Sequence, residues 1–327
     1  MEFRTIVDIE DPGFRIGPCE EMLFVGSCFA DSIGQRFAEE GFPVTVNPFG
    51  TMYNPASILH TIERLGDTTC QTAFLTLGTN RVYRLKETGD IVDNCQKRPQ
   101  SLFTEEQLSV EECACYLRRA IALLRQKNPG VRIVLTVSPI RYRKYGYHGS
   151  QLSKATLLLA ASRVLEEGGE AREARGTRNP RDPRNPRDPR NPRNPRNPRD
   201  PRNPRDPRDS RDPRASSAPS YLGLPASLAY FPAYELVCDE LRDYRFYAPD
   251  MLHPSAQAVD YIWERLVETY FSPEAKTFLD EWRPVRQALG HKPFNADSSE
   301  YLRFMEQTRA RLSALQQKYP LLKKYEL

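Results

Sequence analysis

The chain has 327 residues, and its 47 basic and 43 acidic residues give a formal net charge of +4. Twelve consecutive triplets at 179–214, of the form Asn/Asp-Pro-Arg with one serine in place of proline, carry +6, so the rest of the chain carries −2. This distribution argues against a nucleic-acid-binding surface, because the excess basic residues belong to one repeat. No run of 18 apolar residues and no signal-peptide pattern occur, so we expect a cytoplasmic protein without a membrane segment.

Strand-like and helix-like segments alternate along most of the chain. Apolar and β-branched runs predict strands at 23–26, 43–47, 73–78, 131–139 and 228–232. A hairpin is predicted at 81–94. Helical patterns occupy 29–42, 54–65, 109–129, 150–167, 235–243 and 253–271. This alternation predicts an α/β fold with a parallel sheet, and in such folds sites lie beyond the carboxyl ends of the strands.

The triplet repeat interrupts the predicted main domain. We expect a domain at 1–272, interrupted by a disordered insert at about 168–220, and a helical extension at 273–327. The repeat lacks apolar residues and has proline at nearly every third position, so it cannot form a packed core. The favoured interpretation is a tandem expansion tolerated in a surface loop. The alternative is an arginine-rich arm that binds an acidic partner.

Two nucleophilic side chains, Ser27 and Cys28, follow the first predicted strand at the point where a helix begins. Asp250 and His253 stand three residues apart before a later helix, so the carboxylate can accept a hydrogen bond from one imidazole nitrogen. The other nitrogen can then take a proton from a nucleophile, as in serine hydrolases. A thiol can use the same histidine, so the residues alone leave both nucleophiles open.

Cysteine and histidine usage gives no sign of a metal site. The seven cysteines are odd in number, and neither they nor the four histidines show the spacing of a zinc site. We therefore expect reduced thiols, no metal and no cofactor.

Several motifs resemble those of the GSCFA-domain family, a branch of the SGNH (GDSL-like) hydrolase superfamily. The signature GSCFA stands at 26–30. Further matches are NPFGTMYNPASI (47–58), FLTLGTNRVYRLKETGDIVDNC (74–95), TVSPIRY and SQLSKATLLLA (within 136–160), and YFPAYELVCDELRDYRFYAPDMLHPS (230–255). The resemblance implies a flavodoxin-like, doubly wound parallel sheet in three α/β/α layers, followed here by a C-terminal helical extension.

The resemblance also implies roles for the candidate catalytic residues. Ser27 matches the nucleophilic serine of the superfamily, and Asp250 and His253 match its late D-x-x-H block. His253 would then be the base and Asp250 the residue that orients it. Cys28 would be a small apolar side chain packed behind the turn.

An oxyanion hole is implied as well. The superfamily uses a glycine after the second strand and an asparagine after the third. Gly50 and Asn80 occupy these places, with Asn47 and Asn94 as their competitors. Asn94 is also expected to bind the substrate. Gln96 replaces a histidine that often follows Asn94 in relatives.

The segment after the fourth strand supplies further candidates for the substrate pocket. His148 is expected to contact the substrate, and the tyrosines at 142, 145 and 147 form either an aromatic wall or an ordinary loop. Arg141 and Lys154 could hold a substrate anion, but the favoured interpretation is that both are solvated or helix-facing charges.

The sequence therefore predicts a serine ester hydrolase of the carboxylesterase or deacetylase type, acting on a small-molecule or carbohydrate acyl ester through an acyl-serine intermediate. An acyltransferase that uses the same residues is one alternative. A non-catalytic binding protein that uses the fold and the arginine-rich repeat is the other.

Overall fold

The computed structural model describes residues 4–93, 98–176, 227–295 and 297–325. Asn94 and the repeat at 179–214 lie outside these residues. Residues up to 166 and from 226 onward form one compact unit, to which every contact described below belongs.

A five-stranded parallel sheet forms the centre of the fold. Its strands lie side by side in the order β2 (Val44–Val46), β1 (Met22–Gly26), β3 (Thr72–Leu77), β7 (Arg132–Val137) and β8 (Leu228–Tyr230). Counted within this sheet alone, the order is 2-1-3-4-5, which is the order of flavodoxin-like sheets. The predicted α/β fold with a parallel sheet is confirmed.

Side chains of the sheet alternate between two cores, one on each face. In β1, Met22 and Phe24 belong to one core, while Leu23 and Val25 belong to the other. This alternation follows from the two-residue period of a strand. Because both faces are apolar, helices must cover both, which explains why the strands read as continuous apolar runs.

Helices cover both faces of the sheet, and most begin at a capping side chain. Asn54, for example, accepts a hydrogen bond from the Ser57 amide at 2.9 Å, with Pro55 as the first helical residue. The helices are α1 (Cys28–Glu39), α2 (Pro55–Arg64), α3 (Val110–Lys127), α4 (Gly146–Gly176), α5 (Ala233–Glu235), α6 (Ala256–Tyr270), α7 (Pro273–Leu289) and α8 (Ser299–Lys318).

A small antiparallel sheet extends from the end of β3. It contains the predicted hairpin, β4 (Arg81–Leu85) with β5 (Ile91–Val92), and a further strand β6 (Phe103–Gln107). Sequence analysis missed β6, because Glu105 and Glu106 in its middle give no apolar alternation. Its pairing with β4 is supported instead by ion pairs across the strands, such as Arg81 with Glu105 at 2.6 Å.

The first C-terminal helix, α7, packs against the last turn of α1. Trp282 Nε1 donates a hydrogen bond to the Glu39 carbonyl at 3.0 Å, and Arg286 pairs with Glu40 at 2.9 Å. At 1.5 Å per residue, the 12 residues of α1 extend about 18 Å. These contacts therefore lie at the end of α1 remote from Cys28, and they do not cover the turn that precedes it.

Among the residues that the structure describes, no helix combines the length and the apolar character that crossing a membrane requires.

Candidate active site

The turn from β1 into α1 has room only for glycine at its first position. Gly26 has φ +143°, and a Cβ placed there would lie 2.1 Å from the Thr76 carbonyl oxygen. Ser27 follows as the N-cap of α1, and its Oγ accepts a hydrogen bond from the Phe29 amide at 3.3 Å. That Oγ also lies 3.3 Å from Thr76 Oγ1, and Ser27 is fully buried.

Cys28, the first residue of α1, is the residue of the turn whose side chain faces the histidine. Its Sγ lies 3.3 Å from His253 Nε2, and the other imidazole nitrogen, Nδ1, lies 2.5 Å from Asp250 Oδ2. The structure thus brings Asp250 and His253 together as expected, but it gives them Cys28 as their partner. Cys28 is half-buried in this position, whereas its neighbour Ser27 is directed to Thr76.

The carboxylate of Asp250 is fixed by its own loop. Its Oδ1 accepts hydrogen bonds from the amides of Leu252 at 2.9 Å and His253 at 3.0 Å, around Met251 with φ +60°. These two amides and the imidazole lower the pKa of Asp250 to about 2. Asp250 therefore stays ionised at neutral pH, and an ionised Asp250 favours a proton on Nδ1 of His253 and an open acceptor at Nε2.

Cys28 is a protonated thiol in this environment. Burial raises the pKa of the thiol above its usual value, and the residue's own backbone N–H lowers it only in part. A protonated thiol becomes a nucleophile when a base removes its proton, and His253 Nε2 is at the right place to do so. Across the described residues, no group of three or more His, Cys, Asp or Glu side chains is arranged to hold a metal ion.

The residues predicted for the oxyanion hole after β2 are engaged in structural hydrogen bonds. Asn47, at φ +40°, accepts from the Gly26 amide at 2.9 Å and donates to Asp31 at 2.7 Å. The Gly50 amide donates to the Asn47 carbonyl at 2.8 Å. Asn47 thus connects the end of β2 to the turn and to α1, and Gly50 completes a tight turn at φ +94°.

Asn80 and His148 make no hydrogen bond to Cys28, His253 or Asp250 among the described residues. The Asn80 side-chain amide donates to the Leu108 carbonyl at 2.7 Å, which holds the small sheet in place. His148 lies exposed in the first turn of α4. Asn94 lies outside the described residues.

Tyr142 is a site residue that sequence analysis named only as part of a tyrosine-rich loop. Its hydroxyl is buried and has no hydrogen-bond partner among the described residues. A Cβ added to Gly78 would lie 2.3 Å from this hydroxyl and 3.2 Å from Ser27 Cβ, so both groups line the same small space. Burial raises the pKa of Tyr142 well above its usual value, so the group is a neutral hydrogen-bond donor.

Comparison with protein families identifies the chain. The model of the GSCFA family matches residues 21–73, 68–172 and 221–266. The chain belongs to the GSCFA family. A second model, described as the C-terminal domain of GSCFA domain proteins, matches residues 282–324, which include the last eight residues of α7 and all of α8. No curated protein matches the chain.

One solved structure, from Streptococcus pneumonia and described as a candidate platelet activating factor, is 14% identical to this GSCFA chain. The match covers 77% of this chain and 84% of that one, with a TM-score of 0.35. A likeness this low does not bear on the chemistry of the site.

Each residue of the GSCFA signature has a distinct structural role. Gly26 allows the close approach of β3, and Ser27 caps the helix. Cys28 reaches His253, while Phe29 and Ala30 are buried in the core beneath α1. Among the signature residues, Cys28 is the one whose side chain contacts a polar group on a distant loop, that of His253.

Lys154 is buried, so its interpretation as a solvated or helix-facing charge is wrong. It is 2% exposed, and its Nζ donates to the carbonyls of Gly78 at 2.8 Å and Ser138 at 2.6 Å. These carbonyls follow β3 and β7, so the amine connects two adjacent strand ends. Burial lowers the pKa of Lys154 from 10.5 to about 7.

The lowered pKa of Lys154 predicts a pH-dependent stability. Between pH 7 and 10.5 the unfolded chain holds this proton and the folded chain does not, so the free energy of unfolding gains up to about 1.4 kcal/mol per pH unit. Chemical denaturation of wild type and Lys154→Met across pH 6.5–10 should show this gain in the difference between the two proteins. A difference that stays constant with pH would show that Lys154 keeps its usual pKa.

Proposed function

We propose that the protein hydrolyses acyl esters through an acyl-cysteine intermediate on Cys28. His253 is the base in this proposal, and Asp250 orients and stabilises the imidazole. The observation that carries it is the sequence of contacts from Cys28 Sγ to His253 Nε2 at 3.3 Å and from His253 Nδ1 to Asp250 Oδ2 at 2.5 Å. A nucleophile, a base and an orienting carboxylate within hydrogen-bond reach are the requirement for this chemistry.

The first half-reaction forms a thioester. His253 Nε2 takes the thiol proton while Cys28 Sγ forms a bond to the ester carbonyl carbon, and the carbonyl electrons move to the oxygen. Collapse of this tetrahedral intermediate breaks the bond to the leaving alcohol, which receives the proton from His253. The products are the free alcohol and Cys28 carrying the acyl group.

The second half-reaction regenerates the thiol. His253 removes a proton from water, whose oxygen attacks the thioester carbonyl carbon. The carbon–sulfur bond then breaks, the carboxylic acid leaves, and Cys28 recovers its proton from His253. An alcohol in place of water would give acyl transfer by the same steps.

Two hydrogen-bond donors can stabilise the negative charge that develops on the carbonyl oxygen in the tetrahedral intermediate. The Cys28 amide belongs to the first turn of α1, where backbone N–H groups have no partner within the helix. The Tyr142 hydroxyl is buried beside the same turn and makes no other hydrogen bond among the described residues. Donors held in advance at the position of developing charge are the main source of stabilisation in such sites.

His253→Ala should slow the release of p-nitrophenol from short-chain p-nitrophenyl esters by about 100-fold or more, because the attacking thiol loses its base. The exposed His148 provides a matched control, and His148→Ala should keep the wild-type rate. Steady-state rates would measure the release of p-nitrophenol, and the intact mass of acid-quenched samples would measure the acylation of the protein. Equal rates in wild type and His253→Ala would refute the proposed function.

A further inference from the structure

Arg141 lies at the rim of the candidate active site. It follows β7, and its backbone amide donates to the Leu252 carbonyl at 3.1 Å, one residue before His253. The next residue, Tyr142, reaches the turn that carries Cys28. The position of Arg141 is therefore fixed by the same loop that holds the imidazole.

Two tyrosine rings hold the guanidinium of Arg141. Its central carbon lies 4.3 Å from the ring centroid of Tyr147 and 5.4 Å from that of Tyr247. Tyr247 is itself tied to the His253 loop, because it pairs with Pro254 and because the Ala248 amide donates to the His253 carbonyl at 2.8 Å. The arginine is thus anchored by contacts with ring faces.

The charge of Arg141 is not neutralised within the described part of the chain, where its guanidinium has neither an ion pair nor a hydrogen bond. Two nearby cations of the small sheet and its neighbouring loop differ in this respect. Arg81 and Lys144 both pair with Glu105, at 2.6 and 3.2 Å. Contacts with ring faces leave the N–H groups of a guanidinium available for other partners.

We propose that Arg141 binds an anionic group, carboxylate or phosphate, on the acyl substrate of the Cys28 site. This inference rests on the proposed function and names the class of its substrate. A guanidinium presents paired N–H donors that match the oxygens of a carboxylate or a phosphate. The substrate is then a charged acyl ester whose anion lies at the rim while its carbonyl carbon lies at Cys28.

Alkylation of Cys28 tests this inference without an ester substrate. Iodoacetate and iodoacetamide react at the same carbon, but only iodoacetate carries a carboxylate. The ratio of the iodoacetate rate to the iodoacetamide rate at Cys28, followed by peptide mass spectrometry, should fall roughly five- to tenfold in Arg141→Gln, because the cation that attracts the carboxylate is lost. The iodoacetamide rate alone should stay as in wild type.

The exposed Arg143 is a control with the same change in net charge, and Arg143→Gln should keep the wild-type ratio. In parallel, acetate and inorganic phosphate should slow iodoacetamide alkylation in wild type and not in Arg141→Gln. The stronger inhibitor of the two identifies the kind of anion that Arg141 binds. An unchanged ratio in Arg141→Gln, or an equal fall in Arg143→Gln, would overturn the inference.

The failure of the two proposals can be told apart. If Cys28 is alkylated at the same rate in wild type and His253→Ala, while the ratio of the iodoacetate and iodoacetamide rates still depends on Arg141, the anion site stands and the hydrolase proposal fails. If Cys28 reacts with neither reagent, both proposals are refuted.

Discussion

Cys28→Ala should abolish acyl-group release, with a fall of about 1000-fold or more in kcat/KM, because the atom that forms the covalent bond is removed. The fold should persist in this variant, since Cys28 is half-buried and the cap of α1 belongs to Ser27. Cys28→Ser places a hydroxyl at the same position and tests whether the histidine can activate oxygen there. The rates should be measured with the ester set used for wild type.

Ser27→Ala is the matched comparison at the neighbouring position. It removes the cap of α1 and should lower the free energy of unfolding by about 1 kcal/mol. Its kcat/KM should stay within about tenfold of the wild-type value, because the contact between Cys28 and His253 is left in place. The opposite pattern, an inactive Ser27→Ala and an active Cys28→Ala, would restore the serine as the nucleophile.

Tyr142→Phe should lower kcat by about 100- to 1000-fold, the usual effect of losing one oxyanion donor. The same variant should be at least as stable as wild type. A buried hydroxyl without a partner opposes folding, and phenylalanine keeps the ring while removing that hydroxyl. If the role of Tyr142 were purely structural, a loss of activity in Tyr142→Phe would be accompanied by a loss of stability.

Tyr147→Phe is the control for this prediction. Its ring is half exposed at the rim, and its phenyl replacement keeps the ring face that contacts Arg141. Thermal unfolding and steady-state kinetics should leave Tyr147→Phe close to wild type. Wild-type kcat in Tyr142→Phe would remove Tyr142 from the proposed mechanism.

The parallel sheet and the pairing of Asp250 with His253 could be predicted because each depends on local spacing. Alternating apolar strands and amphipathic helices leave few topologies open. A separation of three positions brings the carboxylate and the imidazole together around one turn, whatever the rest of the chain does.

The choice between Ser27 and Cys28 depended on a single residue at the start of α1. Successive side chains on a helix are about 100° apart, so the residue at which the helix begins decides which one faces the histidine. Serine is a preferred cap, and Asp31 in the first turn supports a helix that begins at Cys28. The sequence therefore contains a local signal for a helix that begins at Cys28, whereas the resemblance to serine hydrolases favours Ser27 as the nucleophile.

The role of Tyr142 could not be read from the sequence. Its hydroxyl reaches Gly78 and Ser27 only because the loop after β7 folds back over the ends of β1 and β3. The hydrogen-bond partners of Asn47 and Asn80 could not be read from the sequence for the same reason, since these partners, Asp31 and Leu108, are distant in sequence. Long-range contacts of this kind are fixed by tertiary packing.

The most direct test is to identify the bond that joins the acyl group to the protein. Wild type would be mixed with a p-nitrophenyl ester, quenched in acid within the first turnover and digested, and the acylated peptide fragmented between Ser27 and Cys28. The acyl group should lie on Cys28 and be released by neutral hydroxylamine, to which thioesters are much more sensitive than oxygen esters. An acyl group on Ser27 that survives this treatment would contradict the cysteine mechanism.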